Sequence, residues 1–477
     1  MKPIFFYSLC ISNSGDSLNI ELAPKVIQRA LNKGCEYCDI RIEDIHSTSL
    51  EVKDKELKKS ISGKESGTNI RVLCNGAWGI ASTNRLVKND VMTALEDAVK
   101  LAKISKGGKV RLSNVKISKD SVVWKPIKNP LNFSMEEKKK MLLEIEANVK
   151  KIKGVHTVAP GYTDIRTITS YSSSEGADIY SDVTRTMCQV NIVAKKGKDI
   201  IGYRTRVGGT GGMELFDIDP PMQKAIDAAK SAVNILSGKS APSGRFPIIT
   251  NSDLTGVFVH EAVGHATEGD LVIAGESILE NRIGEKIGAP IVNIFDDPTL
   301  KNGFGSFPYD DEGVNGQRKV LVKNGVLNSY ILNRETAYKL NMKPNGGARA
   351  ESYMVKPIVR MSNTLMGAGD CAFDELFEGV KFGIYAKGSR GGQVDTTKGS
   401  FQFNAQESFL IENGEITKPL RDVSLSGSIL EILKNIDAVG KDMSFGEPGY
   451  CGKGQTVPVS DGGPHIRIKN VMIGGGA

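Results

Sequence analysis

The sequence predicts an α+β protein, in which an N-terminal α+β domain precedes a C-terminal domain dominated by antiparallel β-sheet. Glycine is frequent, at 52 of 477 residues, and aromatic residues make up 6% of the chain, a balance that favours turn-rich β structure over helical bundles. Segments with helical apolar spacing alternate with strand-like segments in the first half of the chain. Asn-Gly turns between alternating residues fall in the second half, where they indicate antiparallel hairpins.

The first half reads as helices that precede strands. Helices are predicted at residues 20–31, 86–104, 134–152 and 221–236. Ser134 and Glu137 form a capping-box signal at the start of the third of these helices. Asn75-Gly76 predicts a hairpin turn, and residues 155–207 are rich in strand signals.

The second half opens with a predicted strand at residues 246–250, followed by the N-cap residues Asn251, Ser252 and Asp253 and a short helix. Hairpins are predicted around Asn324-Gly325 and Asn413-Gly414. We place the domain boundary within residues 208–240, which divides the chain into residues 1–215 and 216–477. The short helix is expected to lie at the sheet of the second domain.

Bulk properties exclude several classes of protein. The formal net charge is +7, and no basic stripe with interleaved aromatic residues suggests a nucleic-acid partner. No apolar run reaches 18 residues, so no membrane span is predicted. Residues 1–11 resemble a secretory signal only weakly, and we interpret them as a surface extension or edge strand. Seven scattered cysteines favour a reducing compartment, hence the cytoplasm, with Cys35 and Cys38 as packing residues.

The residues with the clearest chemistry are His260, Glu261 and His265, in the sequence HEAVGH. Two zinc-binding histidines on a regular helix are usually four residues apart, or about 40° around the axis. Here they are five residues apart, which on a regular helix corresponds to about 140° and is too wide for one ion. The helix must therefore be distorted, and we expect Gly264 to permit a π-type bulge or an early helix end.

A zinc ion held by the two imidazoles would need a third protein ligand and an open position for water. Glu261 follows a ligand directly, so it is better placed as the general base that takes a proton from the attacking water. From spacing alone the third ligand stays open between Glu268 or Asp270, the pair Asp310-Asp311, and a remote cysteine.

The segment HEAVGHATEGD, residues 260–270, closely resembles the TldD/PmbA family of metallopeptidases, specifically its TldD-type subunit, which keeps the metal motif. The resemblance covers nearly the whole chain. Further segments similar to the family occur in family order: YDDEGV (309–314), QR (317–318), GGQVD (391–395), LIENGEI (410–416), IDAVG (436–440) and CGKGQ (451–455).

The resemblance implies that Cys451 is the third zinc ligand, so that one Zn²⁺ is bound per active subunit. It also implies a dimer, either a homodimer or a heterodimer with a PmbA-like paralogue, that encloses the metal. Short or unfolded peptides would enter as an added strand, a mode that gives affinity with little sequence preference. Asp310, Asp311 and Arg318 are candidates for lining the substrate site, with a solvated loop as the equal alternative.

The leading hypothesis is therefore a zinc-dependent peptidase acting on short or unfolded peptides. The second is a peptide-binding or maturation module in which zinc is structural or absent, and a site closed by a fourth ligand such as Glu268 would favour it. A weaker third hypothesis is a zinc amidase acting on a small molecule.

Overall fold

The computed structural model describes residues 22–105 and 109–474. The predicted extension at residues 1–11 lies outside these residues. The fold is mixed α+β with largely antiparallel sheets, as predicted. In the described ranges no helix is both long enough and apolar enough to cross a membrane.

A seven-stranded sheet dominates the N-terminal half. Its strands are β1 (Tyr37–Lys53), β2 (Glu56–Cys74), β3 (Ala77–Thr83), β4 (Lys119–Trp124), β5 (Val155–Ser173), β6 (Asp178–Lys196) and β7 (Asp199–Thr210). The order is β3-β2-β1-β5-β6-β4, and β7 pairs with β6. Only the pairing of β4 with β6 is parallel within this sheet. Asn75 and Gly76 both have positive φ angles in the β2–β3 turn, which confirms the predicted hairpin.

Helices cover this sheet in two groups, each with its own core. They are α1 (Leu22–Asn32), α2 (Lys88–Ile104), α3 (Met135–Val149), α4 (Leu215–Ile218) and α5 (Pro221–Ile235), with a 3₁₀ turn at Pro130–Asn132. The first core joins α1 and α2 to β1 and β2. The second joins α3 and α5 to β5, β6 and β7. The predicted capping box of Ser134 and Glu137 is confirmed at α3.

The helix α5 lies after residue 215 but packs its alanines into the second core of the N-terminal half. The predicted division between residues 215 and 216 stays a prediction. The packing of α5 favours a boundary after residue 235, which is still within the predicted region of 208–240.

Cys35 packs in the first core, as predicted, but it also forms a disulfide with Cys74, which the prediction did not include. The cause is the antiparallel register of β1 and β2, which pairs Tyr37 with Leu73 and so brings Cys35 beside Cys74. Spacing along the chain could not show this because the two cysteines are separated by 39 residues. Cys38 is free and buried in the core, as predicted.

The C-terminal half contains the remaining helices and strands. The helices are α6 (Ser252–Val259), α7 (Gly269–Ile273), α8 (Arg334–Lys339) and α9 (Ile429–Asn435), with a π turn at His260–Gly264 and 3₁₀ turns at His265–Thr267 and Asp374–Leu376. The strands are β8 (Lys239–Ser240), β9 (Gly244–Thr250), β10 (Ile294–Asp296), β11 (Lys319–Lys323), β12 (Val326–Leu327), β13 (Ala348–Arg349), β14 (Ile358–Val359), β15 (Asn363–Met366), β16 (Phe382–Asp395), β17 (Ser400–Glu412), β18 (Glu415–Arg421), β19 (Ser424–Ser428), β20 (Ile436–Val439), β21 (Ser444–Phe445), β22 (Gly449–Gly452), β23 (Thr456–Gly463) and β24 (Ile466–Gly474).

Two main sheets build this half. One has the order β16-β9-β24-β19-β17-β18-β8, and an additional pairing of β16 with β17 closes five of its strands into a ring. The other has the order β12-β11-β10-β15-β23-β21, with β22 paired to β23. The predicted hairpins at Asn324-Gly325 and Asn413-Gly414 are both confirmed, with positive φ angles at all four residues.

The helix α6 packs against β16 of the first sheet and β23 of the second. Its apolar residues belong to the large core that the two sheets share. The predicted position of the motif helix at the sheet is therefore confirmed.

Candidate metal centre and active-site cavity

The motif helix begins where the sequence predicts. The Asn251 side chain accepts the backbone N–H of Leu254 and caps the first turn of α6. At the end of α6 the backbone N–H of His265 donates to the carbonyl of His260, five residues back, which is a π-type bond. This wider turn brings residues five apart onto one face. The predicted distortion between the two histidines is confirmed.

Gly264 has a different role from the one predicted. Its φ angle is −53°, an ordinary helical value that any residue adopts, so glycine is not needed for backbone freedom there. A Cβ at this position would lie 2.0 Å from the Sδ atom of Met361. A Cβ there would force the Met361 side chain to move, so glycine allows the close packing of the π turn against Met361.

Cys451 reaches the histidines through the packing of α6 on β23. A Cβ at Gly256 of α6 would lie 2.3 Å from the backbone nitrogen of Gly462 in β23, so glycine allows helix and strand to touch. The partner strand β22 carries Cys451 along the edge of β23. Its Sγ lies 3.2 Å from His260 Nε2 and 3.3 Å from His265 Nε2.

Together His260, His265 and Cys451 form the metal-ligand cluster. Their ligand atoms all lie within 4.8 Å of one another, and all three residues are buried. Two imidazole nitrogens and a thiolate are a donor set that suits a catalytic zinc ion. Among the described residues, no other group of three or more His, Cys, Asp or Glu side chains lies close enough together to share an ion.

Electrostatics in the cluster favour the thiolate. Burial alone would raise the pKa of Cys451, but the adjacent His260 and His265 lower it to about 4. Burial disfavours the charged form of His260, yet the nearby Cys451 raises its pKa to about 9. The sulfur is thus held in its metal-binding form, while a bound cation would take the place of the imidazole protons.

Glu268 orients His265 from the side away from the cluster. Its Oε2 lies 2.8 Å from His265 Nδ1, and its side chain is completely buried. An Nδ1–H donated to this carboxylate leaves the lone pair of Nε2 directed at Cys451. Glu268 therefore supports a ligand, and the spacing of three residues after His265 is the sequence signal for that role.

Lys453 and Arg360 lie beside the Glu268 carboxylate and help to fix its position. Lys453 Nζ lies 3.2 Å from Glu268 Oε2 and donates to Asp270 Oδ1 at 2.8 Å. The Arg360 side chain is fully buried, with Nε 3.6 Å from Glu268 Oε1 and Nη2 donating to the Cys451 carbonyl at 2.7 Å. Nothing in the sequence pattern had singled out Arg360. Asp270, one candidate third ligand, is committed to Lys453.

Glu261 stands beside the cluster without belonging to it. Its Oε2 lies 3.9 Å from His265 Nε2, and its side chain is 26% exposed. It lines the same cavity as His260, His265 and Cys451. A partly hydrated carboxylate at this distance can accept a proton from a water molecule at the cluster.

The cavity has a volume of about 810 Å³ and lies between the two halves of the chain. Its walls include residues 203–206 of β7 from the N-terminal sheet and parts of β16 from the C-terminal half. In the described residues β7 pairs only with β6, so its other edge has no strand partner. This volume accommodates several residues of an extended peptide.

The three predicted substrate-site residues lie away from the cluster. Asp310 accepts backbone N–H groups from Glu312, Val314 and Ala348, which organises its own loop. Asp311 forms an ion pair with Arg41 at 2.9 Å.

Arg318 is exposed, and its guanidinium lies 3.6 Å from the ring centroid of Phe295. Neither aspartate contributes to the metal-ligand cluster, and a role of the three residues in substrate binding stays a prediction.

Models of one protein family match most of the chain. Three family models align with consecutive segments: PmbA/TldA metallopeptidase domain 1 with residues 38–103, the central domain with residues 128–236, and the C-terminal domain with residues 243–475. The two histidines, Glu261 and Cys451 all fall in the third segment.

Curated relatives cover the chain almost from end to end. A metalloprotease of Methanothermobacter thermautotrophicus is 45% identical over 92% of this chain and 96% of its own length. A zinc metalloprotease TldD homolog of Saccharolobus solfataricus is 33% identical over 94% of this chain and 99% of its own length. The crystal structure of TldE from Thermococcus kodakarensis has a TM-score of 0.76 at 19% identity, covering 95% of this chain and 99% of that one, and so shares the fold.

Proposed function

Because the chain belongs to the TldD/PmbA family of metallopeptidases, we propose that it is a zinc-dependent peptidase whose active site is the cavity at His260, His265 and Cys451. The observation that carries the proposal is the convergence of two imidazole nitrogens and one thiol within 4.8 Å, beside the carboxylate of Glu261. A relative named as a zinc metalloprotease supports the choice of metal.

Each residue of the site has a chemical role. His260, His265 and Cys451 would hold the zinc ion. Zinc bound there would lower the pKa of a water ligand and polarise the peptide carbonyl. Glu261 takes the proton from the attacking water and returns it to the leaving amine. Glu268 keeps His265 in the tautomer that directs Nε2 towards the cluster.

The substrate is a short or unfolded peptide that binds as an extended strand. The edge of β7 at residues 203–206 supports this mode because it lines the cavity and has no strand partner among the described residues. The Gln406 side chain bonds the backbone N–H and C=O of Arg204, and a peptide strand would take over these two groups. A cavity built by both halves of the chain would admit an extended backbone more easily than a folded domain. Side-chain preference would then come from the pockets along the strand.

A structural zinc site, the second hypothesis, is less well supported. Such a site is normally closed by four protein ligands. Glu268, the residue that could have closed it, uses its Oε2 on the far nitrogen of His265. Among the described residues the cluster contains three donors, which leaves a coordination position for water.

The proposal includes a dimer, with either an identical subunit or a PmbA-like paralogue, because the resemblance implies that two subunits enclose the cavity. A solved TldE shares the fold of this chain. Cytoplasmic localisation also stays a prediction. Its cysteine argument is weakened by the disulfide of Cys35 and Cys74.

The deciding experiment compares wild type with Glu261→Ala, purified from the native cells together with any bound partner. We expect stoichiometric zinc in both proteins by elemental analysis. Cleavage of an unstructured peptide should fall at least about 100-fold in the variant, because a general base contributes on the order of 10²–10⁴. A chelator should abolish wild-type cleavage.

Glu136→Gln is the matched control, since Glu136 is 79% exposed and pairs with Lys139 on the surface of α3. It should cleave like wild type. Full cleavage by Glu261→Ala would refute the assigned base, and a zinc-loaded wild type that cleaves no peptide would refute the peptidase.

A further inference from the structure

A second cavity, of about 330 Å³, lies between the N-terminal sheet and the C-terminal half. Ile165 and Val183 from β5 and β6 contribute apolar walls, and Phe307 closes the opposite side. Tyr450 lines both this cavity and the metal cavity, and it directly precedes Cys451. Tyr450 is therefore a wall common to the two cavities.

Two arginines line this second cavity and lack an acidic partner. Arg349 is 6% exposed, its Nη1 donates to the Met361 carbonyl at 2.6 Å, and its guanidinium lies over the Phe307 ring. Arg185 donates from Nε and Nη2 to backbone carbonyls of the loop at residues 304–306, at 2.8 and 2.7 Å. In the part of the chain that the structure describes, no carboxylate pairs with either guanidinium.

The acidic residues that line the same cavity are already committed. Glu43 and Asp311 both pair with Arg41, at 3.0 and 2.9 Å. Asp310 accepts three backbone N–H groups. Glu351 accepts a backbone N–H at 2.9 Å. Asp311 offsets part of the positive charge of Arg185 and Arg349, but none of these carboxylates forms an ion pair with either guanidinium.

This arrangement is costly without a ligand. Burial lowers the pKa of Arg349 to about 9, and the like charge of Arg185 adds to that effect. Burial similarly lowers the pKa of Arg185 to about 10. Two neighbouring cations that repel each other, one buried and one half-buried, are stabilised by an anion placed between them. Backbone carbonyls orient the two guanidinium groups but do not neutralise their positive charge.

We propose that Arg185 and Arg349 form a carboxylate-binding subsite, which receives a carboxylate of the peptide whose backbone passes the metal cluster. This inference rests on the proposed peptidase function and adds a substrate preference to it. The planar guanidinium fork matches a carboxylate and can donate two parallel hydrogen bonds. The apolar walls at Ile165 and Val183 suit the aliphatic part of the residue that bears the carboxylate. Either the C-terminal α-carboxylate or an acidic side chain supplies this chemistry.

The test measures binding, so that it does not depend on turnover. The zinc-loaded Glu261→Gln protein is titrated into four N-terminally labelled peptides of otherwise identical sequence, followed by fluorescence anisotropy. The four peptides combine a free or amidated C-terminus with Glu or Gln at one internal position. We expect a carboxylate-bearing peptide to bind about tenfold or more tightly than its neutral counterpart, as charge-assisted bonds to arginine do.

The four peptides distinguish the source of the carboxylate. Tighter binding of the free-acid end assigns the subsite to the C-terminus, and tighter binding of the internal Glu assigns it to a side chain. In the same background, Arg185→Gln and Arg349→Gln should each remove the preference while leaving the affinity for the amidated Gln peptide within about twofold. Arg85→Gln, on an exposed side chain paired with Asp90, should keep the preference.

Equal binding of all four peptides would overturn the subsite, and so would a preference that survives both substitutions. Arg185 is only half-buried, so its variant decides the test if Arg349→Gln fails to fold in a thermal melt. The two proposals fail separately. A zinc-loaded wild type that cleaves nothing, with the carboxylate preference intact, refutes the peptidase and retains the subsite.

Discussion

Two buried groups of charged and polar side chains differ in how their charges are balanced. The interdomain ionic cluster, defined by Asp39, Arg71, Glu312 and Arg334, joins the N-terminal sheet to the C-terminal half. Arg71 pairs with Asp39 and with Glu312 Oε1 at 3.0 Å, and Glu312 Oε2 accepts the backbone N–H of Arg334 at 2.8 Å. Each charge there has an opposite partner, since the Arg334 guanidinium pairs with Glu175 at 2.8 Å.

The metal-ligand cluster is organised differently. His260, His265 and Cys451 direct three potential electron-pair donors at one point, and His260 Nδ1 is buried without a hydrogen-bond partner. The first group is complete with protein atoms alone, whereas the second pairs a thiolate with imidazoles whose protons a bound cation would replace. Buried polar groups that are fully paired serve the fold, and those that are left incomplete indicate a binding site.

The largest effect should come from Cys451→Ser, because a hydroxyl at neutral pH is a far weaker zinc ligand than a thiolate. We expect the zinc content measured by elemental analysis to become substoichiometric. Peptide cleavage should fall about 10³-fold or more, in line with the loss of several kcal/mol of transition-state stabilisation. Cys371→Ser, at a free cysteine outside the cluster, should retain zinc and activity. Normal zinc content in Cys451→Ser would remove Cys451 from the ligand set.

A substitution in the interdomain ionic cluster should reduce stability and leave zinc binding intact. Arg71→Met leaves Asp39 and Glu312 buried without a cation, and the free energy of unfolding in urea should fall by about 3–5 kcal/mol. The zinc content of the folded protein should not change. Arg85→Gln breaks an exposed pair and should cost at most about 1 kcal/mol. An Arg71→Met protein as stable as wild type would show that the cluster contributes nothing to the fold.

A smaller effect is expected at the support of the metal site. Glu268→Gln keeps the shape of the side chain but removes the charge that faces His265 Nδ1. Zinc affinity, measured by competition with a chromophoric chelator, should weaken about 10- to 100-fold, the usual range for a partner of a histidine ligand. Glu285→Gln, at an exposed side chain, should have no effect. Unchanged affinity in Glu268→Gln would mean that the position of His265 is set by packing alone.

Local features of the site and fold followed from the sequence because they depend on neighbouring residues. The five-residue spacing of His260 and His265 required a distortion of the helix, either a π-type bulge or an early helix end, and a π turn is present. The Asn-Gly hairpins also formed as predicted, since two residues determine such a turn. The reason given for Gly264 was wrong because its contact, Met361, lies about a hundred residues away along the chain and spacing cannot reveal such a neighbour.

Long-range features required more than residue patterns. Cys451 is 191 residues from His260, and only the family resemblance selected it among several candidate ligands. Arg360 lies between Glu268 and the Cys451 carbonyl, but an arginine in a strand-rich region gives no local signal. The disulfide of Cys35 and Cys74 depends on strand register. Each of these contacts is fixed by how strands pair and sheets pack.

The smallest expected change concerns the pH dependence of cysteine alkylation in chelator-treated protein. The pKa of Cys451 is lowered to about 4, so its thiolate persists above that pH and is lost only as the pH falls through it. Between pH 7 and pH 5 its rate with iodoacetamide should change less than twofold, whereas that of an ordinary thiol falls about 100-fold. Cys188 provides the internal comparison, because burial raises its pKa to about 12 and it should remain unmodified in the folded protein. Mass spectrometry of the modified peptides gives both rates, and added zinc should protect Cys451. A Cys451 rate that drops in parallel with that of a free thiol would mean that the imidazoles do not hold the sulfur as a thiolate.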